Sequence, residues 1–250
     1  MITNVISERL VVISDLHLGN PFSTTRAHVT EFLHWAARND FDVCINGDGL
    51  EMAQASLKDL VRDVPEFFQA LTAVSKRGRK AFYVVGNHDM VLENFLDNWG
   101  GVQVVPFLNV RSGTQRIRIE HGHLYDPFFV NRPELYEFLT WLGGFFLKIH
   151  PSFYKLWIRF EEFKLGRRFK KTGIVGEPPQ FKEAALELAR RGFDTVIFGH
   201  THHFGESQLG AHWRYLNPGS WLLTTHYVEI IEGRSQLKEW RARIAGSESL

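Results

Sequence analysis

The chain is poor in cysteine: Cys44 is the only one in 250 residues. That excludes an internal disulfide framework and a multi-cysteine zinc site. Cys44 lies inside the apolar run Phe41 to Ile45 and reads as core rather than as a nucleophile. Long apolar stretches are lacking as well. The longest strongly apolar run, Phe138 to Leu147, has ten residues, whereas a spanning helix needs about 20. Met1 to Leu10 lacks the basic region and apolar core of a secretory leader. The expectation is a cytoplasmic chain, soluble or peripheral at the inner membrane. Charge of one sign is also missing. Lys+Arg 29 against Asp+Glu 28 leaves +1, so no overall field draws the chain to nucleic acid, and no stable nucleic-acid partner is expected. The composition, 44% hydrophobic and 23% charged, is that of a globular protein. The length suits one generous domain, 1–250.

Histidine (12) and aromatics (Trp 7, Tyr 6, Phe 21) are in excess. Half of the histidines follow short apolar runs. Leu10 to Ile13 leads into Ser14-Asp15-Leu16-His17, and Phe41 to Ile45 into Asn46-Gly47-Asp48-Gly49. Ala81 to Val85 leads into Gly86-Asn87-His88-Asp89, Arg116 to Ile119 into Glu120-His121-Gly122-His123, and Thr195 to Phe198 into Gly199-His200-Thr201-His202. Continuous apolar runs suit strands buried on both faces. Helical spacing lies between several of them. Val29, Phe32, Leu33 and Ala36 form one set; Leu57, Leu60, Val61 and Val64 a second, continued by Phe68, Leu71 and Val74. A third set, Phe181, Ala184, Ala185 and Leu188, lies between Pro178-Pro179 and Gly192. Such alternation predicts an α/β fold. In open α/β sheets, ligands bind beyond the carboxyl ends of the strands, which is where all five polar motifs fall.

Asp15, His17, Asp48, Asn87, His121, His200 and His202 are oxygen and nitrogen donors. Mixed imidazole and carboxylate suits Zn, Fe or Mn better than Ca or Mg. Asp15-x-His17 and His200-x-His202 are each expected to put two side chains on one side of an extended segment. Seven donors exceed one tetrahedral ion and suit two ions sharing a carboxylate. Two ions about 3.5–4 Å apart clamp the attacking and leaving oxygens of a phosphoryl displacement. One Asp-x-His at a strand end is usually a polar turn; the five motifs together carry the inference.

In this order, Asp15-Leu16-His17, Gly47-Asp48, Gly86-Asn87-His88-Asp89, His121-Gly122-His123 and Gly199-His200-Thr201-His202 resemble the motifs of the calcineurin-like metallophosphoesterase superfamily. The resemblance runs from about residue 11 to about residue 220, where Asn217-Pro218-Gly219-Ser220 is similar to its closing turn. It implies a four-layer α/β/β/α sandwich of two mixed sheets and a phosphoester hydrolase with two divalent ions, Mn favoured and Fe or Zn admitted. Asp15, His17 and His202 would hold one ion and Asn87, His121 and His200 the other, with Asp48 bridging. His88 would face the phosphate and stabilise the transition state or protonate the leaving oxygen, and Asn87 would take up developing charge beside it. Asp89 would orient His88, and His123 would lie behind the ligands. Some members of the superfamily are binding scaffolds without metal chemistry. These usually lack several ligands, whereas all seven positions here carry competent donors.

The aromatic excess is concentrated in a helical insertion expected over 125–175. Residues 128–171 hold 13 aromatics, and Lys148 to Lys171 holds eight Lys/Arg against two acids. Leu135, Phe138, Leu139, Leu142, Phe145 and Phe146 keep helical spacing after Pro133. Tyr154, Leu156, Trp157, Phe160 and Phe163 do so after Pro151, ending in Arg167-Arg168-Phe169-Lys170-Lys171. The expectation is a helical hairpin over the metal cleft. Phe145, Phe146, Trp157, Arg167, Arg168, Lys170 and Lys171 are its candidate substrate or membrane contacts. Three readings stay open: a cap whose aromatics pack on the domain, a lid for acyl chains that docks on an anionic membrane, and a single-strand nucleic-acid surface. A helical insertion at this place is similar to the UDP-2,3-diacylglucosamine pyrophosphatase branch, which cleaves a lipid-bearing pyrophosphate. His88 and His123 depart from that branch, which carries Arg and Asp there. The implied substrate is a lipid-linked phosphate or pyrophosphate; the alternative is a nuclease or cyclic-nucleotide phosphodiesterase on the same core.

Overall fold

The computed structural model describes residues 3–19, 23, 25–95, 101–172, 177–210 and 212–241. Side chains of Arg168, Lys170 and Lys171 lie outside the described residues. Two six-stranded mixed sheets stack face to face. The first contains β2 (Arg9–Ile13), β3 (Asp42–Asn46), β4 (Ala81–Val84) and β5 (Val102–Val105), all parallel, flanked by antiparallel β11 (His226–Ile231) and β12 (Arg234–Glu239). The second has the order β1 (Thr3–Ile6), β6 (Leu108–Ser112), β7 (Gln115–Ile119), β8 (Thr195–Ile197), β10 (Trp213–Asn217) and β9 (Gly205–Leu209).

Alternation along β2 shows why these runs are apolar throughout. Leu10 and Val12 face the second sheet, in a core with Cys44, Phe82, Ile117, Ile119 and Ile197. Val11 and Ile13 face the other way, onto α1 (Thr25–Arg38) and α3 (Pro65–Lys76) through Phe32, Leu33, Phe67 and Leu71. On the far side of the second sheet, α7 (Pro179–Arg190) lays Phe181, Ala185 and Leu188 against Val196, Phe198 and Tyr215. The layers therefore run helix, sheet, sheet, helix, as expected. Between β3 and α3, α2 (Leu57–Asp63) is capped by Ser56, whose Oγ accepts from Asp59 N at 3.2 Å. Its expected apolar face is narrower than the spacing suggested: Leu60 is buried but Val61 is exposed.

The insertion comprises α4 (Pro127–Asn131), α5 (Pro133–Ile149) and α6 (Pro151–Thr172). Each opens on proline, whose missing N–H costs nothing at a helix start. His150 between α5 and α6 is extended, φ −152° and ψ 139°, as the residue before proline prefers. The hairpin leaves its aromatics largely uncovered: Phe138, Trp141, Phe145, Phe160 and Phe163 are all more than half exposed. That corrects the reading in which they pack on the domain. Among the described residues no helix is long and apolar enough to cross a membrane.

Candidate metal centre

β2, β3 and β4 are parallel neighbours in one sheet, and β7 and β8 in the other. Their carboxyl ends therefore deliver all five motifs to one edge of the sandwich. The loops that follow are tight. Asp15, His17, Asp48, His200 and His202 all take positive φ, between 46° and 65°. Among the described residues only Asp40 and Glu232 share that property outside glycine. Left-handed backbone disfavours a side chain bearing Cβ and collects at functional sites. The expectation of extended Asp-x-His and His-x-His segments is therefore corrected. Each pair converges through two left-handed residues instead of through strand alternation.

Three overlapping donor groups result, each with ligand atoms within 4.8 Å of one another: Asp15, His17 and His202; His17, Asp48 and His88; and Asp48, His121 and His200. In the first, Nε2 of His17 and Nε2 of His202 face each other at 3.2 Å, and Asp15 Oδ1 lies 3.4 Å from the latter. Asp15 Oδ1 is buried without a hydrogen-bond partner. At the other end, Asn87 Oδ1 is 2.8 Å from His200 Nδ1 and 3.2 Å from His121 Nε2, which is 3.2 Å from Asp48 Oδ2. Imidazole lone pairs, a carboxylate and an amide oxygen turned on the same points fit a pair of divalent ions of the transition series. Asp48 stands between the two sets, its Oδ1 accepting from His88 N at 2.8 Å.

Outer partners fix which atom each donor presents. His121 Nδ1–H donates to Asn46 O at 2.9 Å, leaving Nε2 for the cleft. His17 Nδ1 does the same toward Glu51 Oε2 at 2.8 Å. Ser14 Oγ lies within hydrogen-bonding reach of both Asp15 Oδ2 and Asn46 O, and its one proton serves one of them at a time. The close approach requires glycine at Gly86, where a Cβ would run into the Asp48 carboxylate and backbone N.

Glu51, buried three residues beyond Asp48, was not identified by sequence reasoning. It holds His17 with one oxygen and His88 Nδ1 with the other, at 2.6 Å. Burial opposes ionisation of Glu51, but His88 and His17 outweigh it and hold the carboxyl down at about 2. Burial likewise disfavours charge on His88, yet Glu51 and Asp48 raise it to about 10. Asp89 does not orient His88, which corrects that expectation. Its Oδ1 accepts from Gly86 N (2.6 Å), and its Oδ2 from Tyr83 OH (2.6 Å) and Gly49 N (3.0 Å), so it ties the two loops together. Burial and the nearby Asp48 push Asp89 up to about 7. His123 packs beside His121 at 5.5 Å between ring centroids and edge-on to Phe129, outside the three donor groups. Burial and His121 push it down to about 3, so it is neutral.

A cavity of about 770 Å³ opens over these donors. His17, Asp48, His88 and His200 form its floor; Leu139, Phe146, Trp157 and Phe160 of the hairpin line its other wall. Phe146 and Trp157 thus face the cleft. Phe145 instead stacks on Trp141 on the outer side.

The fold and the donor set define a metal-dependent phosphoester hydrolase. A family model described as calcineurin-like phosphoesterase matches residues 8–204, and the chain belongs to that family. No curated protein sequence matches it. Similar solved structures include a Thermotoga maritima protein determined by NMR (18% identity, TM-score 0.47, 93% of this chain and 99% of that one). A Vps29 mutant from Entamoeba histolytica (14%, 0.45, 93% and 99%) and a predicted phosphoesterase from Streptococcus pneumoniae (15%, 0.37, 94% and 98%) are also similar.

Proposed function

We propose that the protein hydrolyses a phosphoester or pyrophosphate linked to an acyl chain, with Asp15, His17 and His202 on one ion, Asn87, His121 and His200 on a second, and Asp48 shared. Two divalent ions held there, Mn favoured and Fe or Zn admitted, would supply positive charge to the phosphoryl oxygens and to the attacking water. The chain's own groups do the rest. His88 is held at Nδ1 by Glu51, with its Nε2 on the cavity wall 4.0 Å from Asp48 Oδ2. As a cation it donates from Nε2 to a phosphoryl oxygen and delivers that proton to the departing oxygen.

The observation that carries the substrate reading is the cavity, polar at the donors and aromatic along α5 and α6. A molecule with a phosphate head and an acyl tail matches both walls, as in the UDP-2,3-diacylglucosamine pyrophosphatase branch. Outward-facing Phe138, Trp141 and Phe145, with Arg167 on the same hairpin, support docking on an anionic bilayer, peripheral at the inner membrane. The test compares kcat/KM for a diacylated UDP-sugar and its unacylated counterpart. Burial is worth about 0.8 kcal/mol per methylene, so a few methylenes give a preference of at least about 100-fold. Phe146→Ala and Trp157→Ala should erode that preference and spare the unacylated substrate. Equal turnover of the two, or preference for nucleic acid or a cyclic nucleotide, would overturn the lipid reading in favour of the nuclease or phosphodiesterase alternative.

A further inference from the structure

The insertion also touches the donor residues directly, across the cavity that Asp126, Tyr136 and Glu161 help to line. Asp126, at the start of α4, caps that helix with Oδ1, which accepts from Phe128 N at 2.9 Å, and sets Oδ2 3.0 Å from His200 Nε2. Tyr136 of α5 accepts from Asn87 Nδ2 through its hydroxyl at 2.9 Å. Glu161 of α6 places Oε2 3.8 Å from His202 Nδ1. Each contact falls on the end of a donor residue that faces away from the ions.

These contacts select the donor atom. With Nε2–H of His200 given to Asp126, Nδ1 carries the lone pair turned toward Asn87 and Asp48. An amide can be seated either way round; with Nδ2 held by Tyr136, Asn87 turns its oxygen toward His121 and His200. Glu161, 3.8 Å from His202 Nδ1, is too far for a direct hydrogen bond but its charge favours the ring proton on that nitrogen, which leaves Nε2 for the cleft. The three contacts cover both ion positions, since His202 belongs to one and Asn87 and His200 to the other. The last two come from the two helices of one hairpin, so a displacement of α5 and α6 releases both of them.

We infer that Tyr136 and Glu161 are positioning residues through which seating of the α5–α6 hairpin and metal binding are coupled. Linkage is reciprocal: if the seated hairpin tightens metal binding, bound metal tightens the hairpin by the same factor. The inference rests on the two-ion reading of the site and is independent of the substrate. It makes the hairpin part of the metal centre and gives empty and loaded protein different lids.

The test uses the full chain stripped of metal and titrated with Mn²⁺ alone. Mn²⁺ affinity is read by chelator competition, and amide hydrogen exchange is followed over 133–172. In the parent, Mn²⁺ should slow exchange in α5 and α6. Tyr136→Phe combined with Glu161→Gln should weaken Mn²⁺ binding about 10–100-fold and abolish that slowing. Glu162→Gln, one position along and exposed, should change neither. Far-ultraviolet circular dichroism of the metal-free double variant, matching the parent, separates this from unfolding. If the variant is misfolded, Glu161→Gln alone is read in the same way, with a smaller loss in the same direction. Mn²⁺ binding within about twofold of the parent, with hairpin exchange unaltered by metal in either protein, would overturn the coupling and leave the metal site standing. Absence of Mn²⁺ binding by the parent would overturn the two-ion reading and the coupling with it.

Discussion

Glu51→Gln tests the buried pair behind the active centre. The substitution keeps the shape of a side chain that touches His17 and His88 at 2.8 and 2.6 Å but removes its charge. The fall of the Glu51 carboxyl from the ordinary 4.5 to about 2 corresponds to roughly 3 kcal/mol favouring the ionised form in the folded, metal-free chain. The rise of His88 from 6.5 to about 10 describes largely the same ion pair and is counted once. The signs define a window. Glu51's contribution is present above 4.5 and lost as pH falls through about 2; His88's is present below 6.5 and lost as pH rises through about 10. The pair's contribution to stability is thus complete between pH 4.5 and 6.5. At about 2–4 °C per kcal/mol for a domain of this size, Glu51→Gln should lower Tm by roughly 6–12 °C near pH 5.5. The gap should shrink as pH approaches 10. Calorimetry in chelator reads it. Equal Tm values near pH 5.5, or a gap that persists at the alkaline end, would refute the pairing. In the loaded protein the same change should weaken metal binding about 10–100-fold, because His17 loses the partner that orients it.

His88→Ala should lower kcat by about 10²–10⁴ and leave the metal content unchanged. Loss of one ion would instead make His88 a ligand with His17 and Asp48, the alternative that their grouping allows. Gly86→Ala should cost about 1–3 kcal/mol of stability through overpacking and reduce bound metal, because its Cβ displaces the shared Asp48. Thermal melts with metal analysis decide both, and a fully loaded, stable Gly86→Ala protein would show that Asp48 needs no such clearance.

How much the sequence revealed follows from physical scale. β2, β3, β4, β7 and β8 were legible because runs such as Leu10 to Ile13 are buried on both faces. The helical hairpin was legible from its spacing and from Pro133 and Pro151. β9 and β12 were not, because they are edge strands with exposed polar positions such as Glu206 and Gln236. The donors were legible as types at strand ends, but not the left-handed turns that aim them, since Asp and His do not announce a positive φ. Glu51 looked like an ordinary polar residue after Gly49-Leu50; its two histidine partners lie 34 and 37 positions away. Asp126, Tyr136 and Glu161 stayed hidden for the same reason. Their partners are 74, 49 and 41 positions distant, and only the folded hairpin brings them together.

Whether two ions sharing Asp48 carry the hydrolysis is decided by metal stoichiometry taken together with turnover of an aryl phosphodiester, in the parent and in Asp48→Ala. The parent, stripped and reloaded with Mn²⁺, should take up two ions per chain and regain hydrolysis as they bind. Asp48→Ala, without the carboxylate between the two donor sets, should lose both ions and turnover. A parent that hydrolyses the diester equally well when stripped, or an Asp48→Ala variant that keeps two ions and full activity, would contradict hydrolysis by two ions sharing Asp48.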